Sequence, residues 1–307
     1  MKKTALRCLW LLAAALPFCS QAAVTPWIPF ELENGAIELP VTIAGIKTKA
    51  ILDSGSQLNG INEDFIKANK LEFGKGSRIR VKGVYDEVEH STYNKVPVSL
   101  FGSTWNLDGL VSMPFGDEDA ALLLGGSLFE NFIVQIDYPH SKLRLVERKS
   151  LDLRKAANIE MRSDPHTGMP IVKVELNKEK SVWLMLDTGN TGGLMLPRSL
   201  ANDQHWLERY PTKDTLGQGV NTIGENDSFR LPEMTFGPFE LENILVTVPK
   251  DGSVDVVEAP ERGSVFEPIH NVKVRGLLGF DVIKHFLLTI DYKEGRMHVG
   301  LPPEDKG

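Results

Sequence analysis

Two short segments hold the residue types needed for acid–base chemistry. Asp53-Ser54-Gly55-Ser56 and Asp187-Thr188-Gly189-Asn190 each set a carboxylate before a hydroxyl and a glycine, 134 residues apart (187 − 53). One such copy reads most simply as a turn in which Asp bonds its own backbone. Two copies in one context read differently. Each follows an apolar run, Ala50-Ile51-Leu52 or Trp183-Leu184-Met185-Leu186, that has the character of a buried strand. Each acid therefore stands at the inner end of a strand, and the acids meet if the two halves pack about a twofold axis. Carboxylates in contact cannot both ionise cheaply, because the repulsion reaches several kcal/mol, so the pair keeps one proton. One member then acts as base toward a bound water while the other donates to a carbonyl; which of them holds the proton stays open, because the pair titrates as a unit. Gly55 and Gly189 let backbone and substrate approach the acids. Ser54 and Thr188 offer hydroxyls that can donate across the axis, and Ser56 and Asn190 are expected to donate to the outer carboxylate oxygens.

The elements that must position these residues are themselves repeated. Leu123-Leu124-Gly125, followed by Phe132 and Ile136-Asp137-Tyr138, recurs as Leu277-Leu278-Gly279, Phe286 and Ile290-Asp291-Tyr292, at an offset of 154 (277 − 123). The order is the same in both halves, which marks an internal duplication. The extra length of the second half is expected in a surface loop over Pro249–Val274, rich in Pro, Gly and acids. Within each half the apolar period is two: Ile37, Leu39, Val41 and Ile43; Val96, Val98 and Leu100; Val172, Val174 and Leu176; Ile244, Val246 and Val248. Such alternation predicts strands with one buried face. Asn62 is expected to cap a short helix to about Lys70, and Pro197 to open its counterpart. Each half closes with a hairpin, Phe132–Tyr138 with Leu143–Val146 and Phe286–Tyr292 with Met297–Val299. Asp137 and Asp291, beside the turns of these hairpins, are expected to steady them rather than react.

Composition limits the classes of function. The 307 residues carry 34 Lys and Arg against 41 Asp and Glu, a formal net charge of −7, with 42% hydrophobic residues. A polybasic nucleic-acid binder and a disordered chain are thereby excluded. Lys2, Lys3 and Arg7 precede the apolar run Leu9–Phe18, and small residues at Ser20 and Ala22 offer a cleavage site. Residues 1–22 are therefore expected to be an export signal, too short for a membrane span, with the periplasm as the expected destination. Leu16-Pro17-Phe18-Cys19 loosely resembles a lipid-attachment box, and the bulk of Phe18 argues against an anchor at Cys19. Cys8 and Cys19, the only cysteines, both fall in this leader, so the remaining chain has no thiol for a disulfide or a metal. The seven histidines form no His-Glu-x-x-His pair. No metal, cofactor or nucleic-acid partner is expected.

The two Asp motifs resemble the active-site loops of the retropepsin/pepsin-like aspartic peptidases. The Leu-Leu-Gly pair is similar to that family's second signature, on a strand threading beside the catalytic loop. The resemblance is nearest to bacterial exported proteins with two retropepsin-like lobes in one chain. It implies a mainly β molecule of two pseudo-twofold-related β-barrel lobes with a cleft between them, residues 23–150 and 151–307. It also implies hydrolysis of peptide bonds by Asp53 and Asp187 without cofactor or metal, on a peptide or protein substrate, by a monomer. Family members close a hairpin flap over the substrate. Arg78–Tyr93 occupies that place, with Gly83-Val84 matching Gly219-Val220 of the second lobe and Tyr85 standing for the flap tyrosine of pepsin-like enzymes. Asn190 departs from the Ser or Thr those enzymes prefer. A weak or inactive peptide-binding protein on the same fold is the competing reading; the presence of both acids with their Ser/Thr-Gly partners favours the enzyme.

Overall fold

The computed structural model describes residues 24–82, 87–116, 119–163, 169–218, 223–250 and 272–303. The expected export signal, residues 1–22, lies outside them. The chain is mainly β, 56% strand and 12% helix, and includes a six-stranded β-barrel. No described helix is long and apolar enough to cross a membrane.

Period-two alternation builds the first sheet. In the strand Ala36–Ile43, Ile37, Leu39, Val41 and Ile43 are buried while Pro40 faces solvent. Glu38 breaks the alternation; it is buried, and Lys49 Nζ answers its charge at 2.8 Å. This strand forms a hairpin with Ile46–Leu52, the strand that ends at the first acid. Ile46–Leu52 pairs in parallel with the threading strand Ala120–Leu124. From there the sheet runs through Gly60–Asn62, Leu110–Met113 and Glu87–Asn94 to Gly74–Lys82.

A second sheet repeats that order with the same strand directions. Pro170–Leu176 pairs with Lys180–Leu186, which ends at the second acid, and then come Val274–Leu278, Leu194–Met195, Phe239–Pro249, Ile223–Phe236 and Lys213–Gln218. The two sheets differ in continuity. Ile223–Phe236 and Phe239–Pro249 run unbroken for 14 and 11 residues. Their equivalents in the first sheet are split into Glu87–Asn94 and Val96–Leu100, and into Ser103–Leu107 and Leu110–Met113. The splits fall at Lys95 and Gly109, both at positive φ. Asp108 and Asn94 side chains accept the N–H groups that these two residues release, each at 2.8 Å.

A third sheet joins the halves. Ile28–Pro29, Lys142–Val146, Ile133–Asp137, Leu287–Asp291 and Arg296–Gly300 lie side by side in that order. At its centre Gln135 lies opposite Thr289, and Gln135 Nε2 donates to Thr289 Oγ1 at 2.9 Å. These residues are 154 apart, so each faces its own counterpart in the duplication. Asp137 accepts from the His140 backbone and Asp291 from that of Glu294, at 3.2 and 3.3 Å, which makes both turn residues, as expected.

One apolar core runs through both halves, from Ile37 and Leu39 to Leu184, Leu186, Leu288 and Ile290. Truncating one such fully buried Leu to Ala costs about 2–5 kcal/mol, transfer and cavity together. A smaller cluster of Met169, Ile171, Met185, Val272, Val274 and Leu277 lies beside the second acid strand. Here the expected loop over Pro249–Val274 needs correction at its end. Val274 opens the threading strand and is buried, because its apolar neighbours cover it; residues 251–271 lie outside the described residues. Asn62 caps the helix Glu63–Ala68, accepting from Asp64 N at 3.0 Å. Pro197 is the extended residue just before the helix Arg198–Asp203 rather than its first helical residue.

Candidate active site

Each acid stands where its strand runs out of ladder. Asp53 N donates to Leu124 O and Asp187 N to Leu278 O, both at 2.9 Å, so the threading strand fixes the backbone of each acid. The chain then turns, and the carboxylate takes up the turn's amides. Gly55 N donates to Asp53 Oδ1 at 2.8 Å, and Gly189 N to Asp187 Oδ1 at 2.9 Å. These are Asx turns, the bland outcome for a single Asp-x-Gly.

The two turns are locked together by four hydrogen bonds. Ser54 N donates to Thr188 Oγ1 and Thr188 N to Ser54 Oγ, both at 2.9 Å. Ser54 Oγ then donates to Leu186 O and Thr188 Oγ1 to Leu52 O, both at 2.8 Å. Ser54 and Thr188 are essentially without solvent contact. Each such bond is worth about 1 kcal/mol net, and an unmatched buried partner costs about 1–3 kcal/mol. The interlock therefore resists sliding of one loop past the other.

Because the loops interlock, each carboxyl lies over the other loop's glycine. A Cβ on Gly55 would come within 2.5 Å of Asp187 Cγ, and one on Gly189 within 2.5 Å of Asp53 Cγ. Only glycine fits at either position. Each carboxyl also lies close enough to the other to act on its titration. Burial pushes Asp53 above the usual carboxylate range, partly offset by the Asp187 carboxyl and the Gly55 and Ser56 amides. Asp187 is pushed well above that range, by burial first and then by the neighbouring charge of Asp53. Two carboxyls so arranged retain a proton where isolated ones have lost it. Both keep part of their surface open to solvent, so water can reach them.

The outer residues of the motifs act otherwise than expected. Ser56 Oγ donates to Leu58 O at 2.9 Å, and Asn190 Nδ2 to Gly193 O at 3.1 Å. Their side chains brace their own loops. In the second loop it is the backbone N–H that serves the acid, Asn190 N donating to Asp187 Oδ1 at 3.1 Å, whereas Ser56 N donates to the main-chain Asp53 O at 3.4 Å. A backbone donor is indifferent to side chain, which is why Asn190 fits where a hydroxyl residue was expected. Gly125 and Gly279 close the Leu-Leu-Gly segments against these loops: Gly126 N donates to Ser56 O at 2.7 Å and Phe280 N to Asn190 O at 2.9 Å. Gly83, Tyr85, Gly219 and Val220 lie outside the described residues. The hairpins that lead to them are present, Gly74–Lys82 with Glu87–Asn94 and Lys213–Gln218 with Ile223–Phe236. Sequence reasoning did not single out Tyr138 and Tyr292 as site residues, although their place in the repeated Ile-Asp-Tyr was visible.

Residues 172–282 match the family model described as Aspartyl protease. The matched stretch contains Asp187-Thr188-Gly189 and Leu277-Leu278-Gly279. It supports an aspartyl protease family for this chain, and the mainly β build is consistent with that fold. A search of curated proteins finds no match.

Proposed function

We propose that the protein is an aspartic endopeptidase in which Asp53 and Asp187 form the catalytic dyad. The observation that carries this reading is that two acids from separate halves are brought together, each carboxyl over the other loop's glycine, by interlocked loops. We read the halves, residues 23–150 and 151–307, as pseudo-twofold-related lobes flanking a substrate cleft. The repeated strand order and the self-pairing of Gln135 with Thr289 support that relation.

The chemistry follows from the shared proton. With one carboxyl ionised and one protonated, the ionised member takes a proton from a water held between them. The protonated member donates to the carbonyl oxygen of the scissile peptide, and a tetrahedral diol forms without a covalent bond to the enzyme. Proton transfer to the leaving nitrogen completes cleavage and returns the pair to its starting state. The Gly55 and Gly189 amides steady the negative charge wherever it sits. The substrate is a peptide or protein, and one chain holds both halves of the site. We place the enzyme in the periplasm on the strength of Lys2, Lys3, Arg7 and the apolar run that follows.

The test is incubation of the purified chain with a mixed peptide library from acid to neutral pH. Cleavage that is lost in Asp53→Asn and in Asp187→Asn, and blocked by a hydroxyl-bearing transition-state mimic, is the expected result. Tight peptide capture with no cleavage at any pH would overturn it.

A further inference from the structure

Two tyrosines are buried close to the acids. Tyr138 and Tyr292 follow Asp137 and Asp291, occupy equivalent positions of the duplication, and are 2% and 0% exposed. Tyr292 stacks on Phe129, centroids 4.5 Å apart, in the helix Gly126–Asn131 whose first amide donates to the first acid loop. Tyr138 packs against Phe280 at 5.9 Å, and the Phe280 amide donates to the second acid loop. The rings are thus placed alike.

Their hydroxyls are not. Tyr292 Oη donates to Ser54 O across 3.5 Å, a long contact, whereas the Tyr138 hydroxyl has no hydrogen-bond partner among the described residues. Ser54 C=O belongs to the same planar peptide group as Gly55 N–H, and that N–H donates to Asp53 Oδ1 at 2.8 Å. A donor at the carbonyl polarises the group and strengthens its N–H as a donor. A relay therefore runs from the phenol, through one peptide, to the carboxylate. On the other side the chain is cut, because Tyr138 makes no such bond.

We propose that Tyr292 is a positioning residue for Asp53, acting through the Ser54–Gly55 peptide, and that Tyr138 is not its equivalent, so the two acids differ in their support. The inference rests on reading Asp53 and Asp187 as a dyad. The titratable groups acting on Tyr292 are Asp187, Asp53 and Tyr138; burial, ahead of these, holds its phenol protonated well above the ordinary range, so it is a neutral donor at every working pH. On the adjoining residue of the strand, Asp291 is paired with Arg148 at 2.7 Å, and the helix beneath Phe129 adds Glu130, which is exposed.

The experiment compares Tyr292→Phe with Tyr138→Phe. Carbon-13 resonances of the Asp53 and Asp187 carboxyls, assigned through the two Asn variants, report the titration of the pair without substrate; the pH profile of kcat/KM reports it during turnover. Tyr292→Phe is expected to raise the lower apparent pKa of the pair by ~0.5, with the acid limb of kcat/KM moving equally and KM unchanged. Tyr138→Phe is expected to reproduce the wild-type curves. Difluorotyrosine at 292, a stronger donor on the same ring, is expected to shift the pair the opposite way and serves if the Phe variant does not fold. A wild-type titration in Tyr292→Phe, or equal shifts in both Phe variants, would overturn the assignment. A protein that cleaves no peptide yet shows the shift in Tyr292→Phe alone would keep it and remove the peptidase reading instead.

Discussion

The first and second halves use one strand order for two hairpins of different build. In the first half the outer hairpin, Gly74–Lys82 with Glu87–Asn94, stops at Lys95, the neighbouring strand is interrupted at Gly109, and the hairpin carries exposed cross-strand pairs, Arg78 with Glu89 and Arg80 with Glu87. In the second half the hairpin continues into strands of 14 and 11 residues, and its base is tied down. Arg198 reaches Asp227 and Pro249 O, and Lys250 reaches Asp214 at 2.7 Å. Within the interlock of the acid loops, by contrast, the halves match bond for bond: every contact of the Ser54 side chain and amide has a partner contact from Thr188. Duplicated halves are held alike where their products must touch and diverge where each meets only solvent.

The largest effect should come from the acids themselves. If they act as a unit, Asp53→Asn and Asp187→Asn each lower kcat on a cleaved peptide by about 10³-fold, although their surroundings differ. A loss confined to one variant would break the equivalence of the two halves at its centre.

Next comes the interlock. Thr188→Ala removes one hydroxyl that serves two bonds, to Leu52 O and from Ser54 N; Ser54→Ala does the same to the bonds with Leu186 O and Thr188 N. Each is expected to destabilise the protein by about 2–4 kcal/mol in urea unfolding, and Thr188→Ser by under about 1 kcal/mol. Values for the two Ala variants that differ by more than about 1 kcal/mol would show that the matched bonds are unequal in energy.

The repeats that locate this site were legible because side chains spell them: Asp-x-Gly twice, Leu-Leu-Gly twice, Ile-Asp-Tyr twice, all in one order. The strands followed from period two, and Asn62 from its capping chemistry. What stayed hidden was whatever backbone alone decides. Alternation says which face of Ile133–Asp137 is buried but not that its edge meets Leu287–Asp291. Nothing in Asn190 as a letter reveals that its amide, not its side chain, serves the acid. Val274 looked like loop because the segment before it is rich in Pro, Gly and acids, and it is its pairing with Trp183 of the second acid strand that makes it strand. The family match covers the second half, so the first acid was visible chiefly by comparing the chain with itself.

The pH dependence of stability bears on the same symmetry. Asp187 is raised well above its ordinary 3.8 by burial and by Asp53. A raised carboxyl contributes stability that is full below the unfolded value and is lost as pH rises through the folded value. Wild-type stability is therefore expected to fall as pH climbs from about 3.8 upward, relative to Asp187→Asn, in which that titration is gone. Parallel curves for the two proteins in urea unfolding would mean that the pair keeps no extra proton. Asp214, lowered by Lys250, contributes in the opposite sense, as a loss on acidification below its usual range.

The smallest effects belong to the hairpins, where the halves differ most. Arg198 and Asp227 are 16% and 19% exposed, so their pair is poorly screened; Arg78 and Glu89 are 72% and 56% exposed and sit in water. Arg198→Met is expected to cost about 1–3 kcal/mol and to speed amide exchange across Lys213–Ser228. Arg78→Met is expected to cost about 0–1 kcal/mol and to leave exchange in its hairpin nearly unchanged. Added salt should lower the cost of Arg78→Met still further and leave that of Arg198→Met nearly unchanged, because salt screens exposed charges much more than partly buried ones. Equal costs for the two substitutions would mean that the second hairpin is held by its long ladder of strand bonds, with the ionic base contributing nothing measurable.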